Sequence, residues 1–214
     1  CVVIDMNDGC NGYINGLEIA SKFISNNSNK KVLLIAGDLM SKHTDYDEVS
    51  NKLLIGDAIT STVLSFKKDS IGHSMIKNDG STAEVISLLK VNNNEVFKMD
   101  GFKVYAFTMQ KVPKLYKEFI SKYSYDDLDF DNIILHQANE LLNSNIIRRL
   151  KLDPKKFPSS LNNFGNTGPA SIPVTISNMS FSKKNNLLLV GFGAGLSWGA
   201  ISFSNCHPVV KVVS

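Results

Sequence analysis

The chain has 214 residues, 43% of them hydrophobic, and a formal net charge of +3, enough for one large domain or two small ones. The mild charge sits in short doublets such as Lys30-Lys31, Lys67-Lys68 and Lys183-Lys184, which argues against a nucleic-acid surface and leaves room only for a small basic patch. Three cysteines without framework spacing point to a reducing compartment, the four histidines make no metal-binding pattern, and no apolar run is long enough to span a membrane.

In chain order, Cys1 to Asp5 reads as a strand rather than a signal peptide, so the chain is expected to begin inside a fold. A helix follows from about Asn11 to Ser25, with Tyr13, Ile14, Leu17, Ala20, Phe23 and Ile24 recurring at 3 and 4 residues. Gly12 and Gly16, one turn apart, are read as a face for close packing of another helix. A polar stop, "SNNSNKK", ends the helix. "KVLLIAGD" reads as a strand covered on both faces. Gly56-Asp57 make a turn before a strand at about 59–66. An irregular region follows, and then a helix over 103–123 interrupted by Pro113. "NIILHQANELLNSNIIRRL" gives strand, turn and helix. "NNFGNTGPASIPVTISNMS" is a turn feeding a helix, and the chain closes as two strands around a glycine turn.

Two passages share a layout. Cys10 opens a helix and "VLLIAG" begins 22 residues later; Asn166 opens a helix and "LLLVG" begins 21 residues later. This suggests two related α/β halves, each aiming a polar side chain from the mouth of a central helix.

Cys10 follows the turn Asn7-Asp8-Gly9 at a helix N-terminus, where a thiol is expected to have a lowered pKa; the plainer reading is a small buried cysteine, which Cys1 and Cys206 keep. His136 ends a buried strand, where ligand sites gather in α/β folds, with Gln137 and Asn139 placed to hold the turn. His43, His73 and His207 read as loop histidines. Asn166 lies in a tightly shaped glycine turn, whereas Asn162 and Asn163 read as turn formers. "GFGAGLSWGA" lacks the residues of a nucleotide loop, and can instead aim backbone N–H groups at a developing oxyanion. The order Cys, His, Asn also occurs in papain-like proteases, whose local signature around the cysteine is absent here.

Together, "DMNDGCNGYINGLEIA", "VLLIAGDLMSKHTD", "LLIGDAITSTVL", "ILHQAN", "NNFGNTGPASIP" and "GFGAGLSWGAISF" resemble the β-ketoacyl-[acyl carrier protein] synthase III family of the thiolase superfamily, over its C-terminal two thirds. The separations, 126 residues from Cys10 to His136 and 30 from there to Asn166, are similar to the family's. The resemblance implies a thiolase-like layered αβαβα fold of two pseudo-duplicated halves, the first incomplete, divided as residues 1–95 and 96–214. It implies Cys10 as acyl-accepting nucleophile, and His136 and Asn166 as donors to the second thioester. Backbone N–H groups of Cys10 and Ala194 would make an oxyanion hole, with Phe192, Gly193 and Gly195 around the pocket. Arg148 and Arg149 would meet coenzyme A or the carrier. The implied function is decarboxylative condensation of acyl-CoA with malonyl-acyl carrier protein, by a cytoplasmic homodimer with no resident cofactor. Asn7-Asp8-Gly9 departs from the family's small apolar residues, Leu141 from a common arginine, and Pro169 from alanine or serine. The departure at Leu141 leaves a second expectation, an acyltransferase with an alcohol, amine or sugar acceptor; more remote are a cysteine hydrolase, from the order Cys, His, Asn, and a non-catalytic partner subunit, from the incomplete first half.

Overall fold

The structure, a computed structural model, describes residues 1–25, 30–44, 53–67, 71–91, 94–181, 185–206 and 208. The polar stop at 26–29 and His207 lie outside the described residues. Eight strands run in chain order: β1 Lys31–Asp38, β2 Ala58–Ser65, β3 Ile71–Asn78, β4 Ile86–Val91, β5 Asn94–Met99, β6 Asn132–Leu135, β7 Asn185–Gly193 and β8 Ser197–Cys206. The helices are α1 Gly12–Ser25, α2 Gly101–Tyr123, α3 Glu140–Leu150, the single turn α4 Leu161–Phe164, and α5 Ser171–Ser177.

The central sheet has the order β3-β8-β7-β6, with β6 and β7 parallel and the other pairs antiparallel. Its strands alternate faces with the two-residue period of a pleated strand. Ile133, Leu135, Leu188 and Val190 join Leu115 and Phe119 of α2 and Leu142 and Ile146 of α3 in one core cluster. Ile134, Leu187, Leu189 and Ile201 join Tyr13, Ile14 and Leu17 of α1 and Ile172 of α5 in another. The far side of α1 meets the antiparallel ribbon β1-β2 through Leu34, Ala36 and Leu64. The described layers therefore run helix, sheet, helix, sheet, in agreement with the layered fold that the resemblance implies.

Several local expectations are corrected. Residues 1–5 form no strand; Val2 and Val3 are 80% and 85% exposed, and Cys1 is an exposed thiol rather than a core residue. β1 is covered on one face only, because the two-stranded ribbon lays a single pleat face on α1 and leaves Leu33 and Ile35 open beside Ile59 and Val63 of β2. Phe23 of α1 also points outward. The groove at Gly16 receives Leu34 of β1, not a helix: a Cβ there would stand 2.6 Å from Leu34 Cδ1. The region expected to be irregular holds β3, which pairs with the distant β8, and β4 and β5, which pair with each other. α2 runs unbroken through Pro113, which is buried among Val112, Leu115 and Tyr116, so tertiary packing outweighs one lost backbone bond. All three cysteines are free, and Cys206 donates to the Asn185 carbonyl at 3.0 Å.

Phe119 is fully buried between Tyr123 and Tyr125. Phe119→Ala is expected to lower unfolding free energy in urea by about 3–5 kcal/mol. Leu33→Ala, on the open ribbon face, is expected to change it by less than about 0.5 kcal/mol.

Candidate active site

Cys10 lies in a single 3-10 turn, Gly9–Asn11, that runs directly into α1. Gly9 has φ +49°, a conformation that favours glycine, so the turn expected from Asn-Asp-Gly is formed. The end of β7 presses on this turn: a Cβ on Gly193 would lie 2.7 Å from Cys10 Cβ, so only glycine allows the hairpin so close. Ala194, the next residue, lies over Gly9. From below, the Asp8 carboxylate accepts from Asn15 Nδ2 and from Ser197 Oγ at 3.2 Å, while Asn11 Nδ2 donates to Ser197 Oγ at 2.8 Å. This ties the Cys10 turn to the start of β8.

The thiol does not have the lowered pKa expected at a helix mouth. Cys10 keeps some surface toward the cleft, but surrounding protein strips water from its sulfur and pushes the pKa up to about 12, with the charges of Asp38 and then Asp8 adding to the rise. Backbone hydrogen bonding opposes this only in part. Desolvation outweighs the helix terminus because a thiolate loses far more solvation on burial than partial backbone charges return. Asp8 itself is raised, first by burial, against its hydrogen bonds to Ser197, Asn15 and Asn11.

His136 follows β6 and is held on every side but one. Its N–H donates to the Val190 carbonyl at 2.8 Å, and its carbonyl accepts from Asn143 Nδ2 at 3.1 Å. Its ring stands edge-on to Phe192, with centroids 5.1 Å apart, and Nδ1 lies 2.7 Å from Ser171 Oγ. Burial holds its pKa down to about 3, so the imidazole is neutral. Gln137 and Asn139 hold this turn as expected. Gln137 Nε2 donates to the Leu135 carbonyl, its Oε1 accepts from Ser159 Oγ and Ser160 N–H, and Asn139 Oδ1 caps α3 by accepting from Leu142 N–H at 2.8 Å.

Asn166 is clamped by backbone bonds to residues 54–56: its N–H donates to the Leu54 carbonyl at 2.8 Å, and its carbonyl accepts from Gly56 N–H at 2.9 Å. Its Oδ1 accepts from Gly168 N–H at 3.0 Å, which leaves Nδ2 as the free end of the amide among the described residues. Asn162 and Asn163 lie apart, in α4.

Cys10, His136 and Asn166 line one narrow cleft, open at its mouth, with Phe192 and Gly193 beside them. Its other walls are almost wholly apolar: Met40, Leu54, Ile55, Ile86, Phe97 and Met99 among them. Ala194 and Gly195 border the hairpin turn without lining the cleft, and Arg148 and Arg149 sit exposed in the last turn of α3, also outside it. Sequence reasoning missed Ser171, Asn143 and the whole apolar wall from β4-β5. Ser171 stands in the first turn of a helix, where a serine reads as an ordinary cap.

The raised thiol pKa predicts that Cys10 alkylation by iodoacetamide rises about tenfold per pH unit, with no plateau below the value of about 12. A plateau near neutrality contradicts it. For His136 the unfolded imidazole takes a proton as pH falls below 6.5, whereas the folded one resists to about 3. Stability at this site is therefore fully present above 6.5 and is lost progressively down that window. Comparing acid unfolding of wild type and His136→Gln tests the sign: the variant is expected to lose less stability over the same interval.

The family model described as 3-oxoacyl-[acyl-carrier-protein (ACP)] synthase III matches residues 4–80, and the one for the C terminal of that synthase matches residues 120–204. The chain is 31% identical to a beta-ketoacyl-[acyl-carrier-protein] synthase III of Microcystis aeruginosa, over 94% of this chain and 67% of the relative. It is 30% identical to one of Clostridium tetani, over 92% and 66%. A solved 3-oxoacyl-(acyl-carrier protein) synthase of Burkholderia xenovorans superposes with a TM-score of 0.89 at 29% identity, covering 95% of this chain and 64% of that one. The chain thus spans about two thirds of the length of the proteins it matches. The layered fold, the two family matches and these relatives agree: this chain belongs to the 3-oxoacyl-[acyl-carrier-protein] synthase III family.

Proposed function

We propose that this chain carries the site of a decarboxylative condensation, in which an acyl-CoA primer held on Cys10 joins malonyl-acyl carrier protein to give a 3-oxoacyl product. The observation that carries the reading is the arrangement of His136 and Asn166. Each is neutral and anchored at one polar end, and each lines the cleft that holds Cys10. Two neutral donors suit a thioester oxygen that gains charge as an enolate forms.

In the first half-reaction the Cys10 sulfur attacks the acyl-CoA carbonyl. The carbon–sulfur bond to coenzyme A breaks, and the thiol proton leaves with the coenzyme A sulfur. The neutral thiol fits this exchange, since it starts and ends without net charge in the cleft. Backbone N–H groups of Cys10 and Ala194 are assigned to the oxyanion of that step, a role supported by the tight contact of the hairpin with the nucleophile turn. In the second half-reaction the malonyl thioester loses CO2, and its electron pair becomes the enolate that His136 and Asn166 stabilise. The enolate carbon attacks acyl-Cys10, a carbon–carbon bond forms, and the cysteine sulfur leaves as thiolate and takes up a proton from solvent water. No resident cofactor is needed, because loss of CO2 supplies the carbanion.

The apolar wall of Met40, Ile86, Phe97 and Met99 supports an acyl chain as the group bound there. Gly193 keeps the hairpin close to Cys10, Gly195 allows the positive-φ turn that follows it, and the exposed Arg148 and Arg149 are assigned to carrier or coenzyme A phosphate. The division at residues 1–95 and 96–214 belongs to the same reading, with β3 reaching across it into the central sheet. A cytoplasmic homodimer is also part of it, supported by the free cysteines and by the apolar surface of Val2, Val3 and Ile4.

The experiment is intact-protein mass spectrometry with a set of acyl-CoAs, followed by CO2 release from malonyl carrier protein. One acyl mass is expected on wild type and none on Cys10→Ala. His136→Ala and Asn166→Ala are each expected to cut CO2 release by about 10²–10³ while Cys10 still acylates. Acylation without CO2 release would overturn condensation in favour of plain acyl transfer.

A further inference from the structure

A neutral imidazole carries its proton on either Nδ1 or Nε2, and only one choice makes it a donor toward the cleft. Nδ1 of His136 is engaged by Ser171 Oγ at 2.7 Å. Nε2 has no hydrogen-bond partner among the described residues and is not sealed off in the core, so it is the nitrogen that faces the cleft. The role of Nε2 therefore depends on which atom of the Nδ1–Ser171 pair supplies the hydrogen.

The surroundings of Ser171 decide this. Its hydroxyl has two hydrogen-bond neighbours among the described residues, His136 Nδ1 and the backbone N–H of Gln137 at 3.3 Å. The Gln137 N–H is donor only, so one lone pair of Ser171 Oγ is used as an acceptor. The hydroxyl proton of a residue 1% exposed then needs an acceptor of its own, and Nδ1 is the one within reach. The opposite arrangement, Nδ1–H donating to Oγ, leaves a buried O–H without a partner, which costs about 1–3 kcal/mol.

We propose that Ser171 is a positioning residue that donates its hydroxyl proton to His136 Nδ1, and so fixes His136 as the Nε2–H tautomer that presents a donor to the cleft. This rests on the condensing reading for its consequence, though not for its geometry. Ser171 is itself firmly placed. It is the first residue of α5, and its carbonyl accepts from Thr175 Oγ1 at 2.9 Å, in a pair that also reaches Ser160 Oγ at 2.8 Å. The pattern repeats at Asn166, where Gly168 N–H holds Oδ1 and turns the NH2 outward. Residues 168–171, the one-turn entry to α5, therefore orient both donors. The same tautomer excludes Nε2 as the base for Cys10, which agrees with the cysteine proton leaving on the coenzyme A sulfur.

The test is a long-range proton–nitrogen NMR spectrum of the protein carrying this chain, labelled at its histidine nitrogens, with His136→Gln identifying the His136 signals among those of the four histidines. Wild type is expected to show a pyrrole-type Nε2 and a pyridine-type Nδ1. Ser171→Ala is expected to shift the ring toward a tautomer mixture and to lower CO2 release from malonyl carrier protein about 10²-fold, the scale of one lost donor. Ser171→Thr, which keeps the hydroxyl, is expected to restore the wild-type spectrum. A pyrrole-type Nδ1 in wild type overturns the proposal, as does a Ser171→Ala protein with unchanged tautomer and unchanged CO2 release. Should Ser171→Ala fail to fold, the wild-type spectrum decides alone. Should the spectrum be as expected and wild type release no CO2, the condensing reading falls while the assignment of Ser171 stands.

Discussion

Everything in this site depends on two polar groups being left with one end unpaired, among the described residues, in a largely apolar cleft. Burying a polar group without a partner is costly, so the fold holds the other end of each group firmly. For His136 the anchors are the Val190 carbonyl, the Asn143 amide and the Ser171 hydroxyl. For Asn166 they are the backbone of residues 54–56 and the Gly168 N–H. The parallel pairing of β6 with β7 puts His136 beside Phe192 and Gly193, and Gly193 in turn abuts Cys10. Two well-packed hydrophobic layers thus set the separation of three side chains that are far apart in the chain. The donors are preorganised, and the low dielectric around them strengthens any bond they make to a charge that appears only during reaction.

The sulfur follows the same logic. The environment that strengthens two donors also disfavours a resting thiolate, and Cys10 is accordingly held neutral, with Asp38 and Asp8 reinforcing that state. A neutral thiol beside a neutral imidazole keeps the cleft uncharged, as the proposed condensation requires of its resting state. Asp8 stands where the family resemblance led to a small apolar residue before Cys10, and its bonds to Asn15 and Ser197 give it a structural use, as a tie between the Cys10 turn and β8. Its cost is a further rise in the thiol pKa.

The three residues of the candidate site are legible in the sequence because each stands at a punctuation mark: Cys10 after Asn-Asp-Gly, His136 after an apolar strand, Asn166 between glycines. The helices α1 and α3 and the strands β6 and β7 were equally plain, since their apolar periods are long and unbroken. β4 and β5 were not, because short strands paired as a hairpin carry little period, yet they supply Ile86, Phe97 and Met99 to the cleft. The one-sided cover of β1 was invisible for a related reason: an apolar run records hydrophobicity, not what lies against it. Pro113 misled because burial holds α2 together across it. The thiol pKa was misjudged because a helix terminus can be read from a sequence, whereas the depth of a sulfur in the packed protein cannot.

The most direct measurement is a double-mutant cycle on malonyl decarboxylation in a Cys10→Ala background, where enolate formation is isolated from acyl transfer. If His136 and Asn166 donate to one oxygen, each single alanine variant removes most of the rate, and the double variant falls little further, because the remaining donor alone holds the charge poorly. Strictly multiplicative losses, or single variants as fast as their parent, would mean that the two side chains act on separate atoms or not at all.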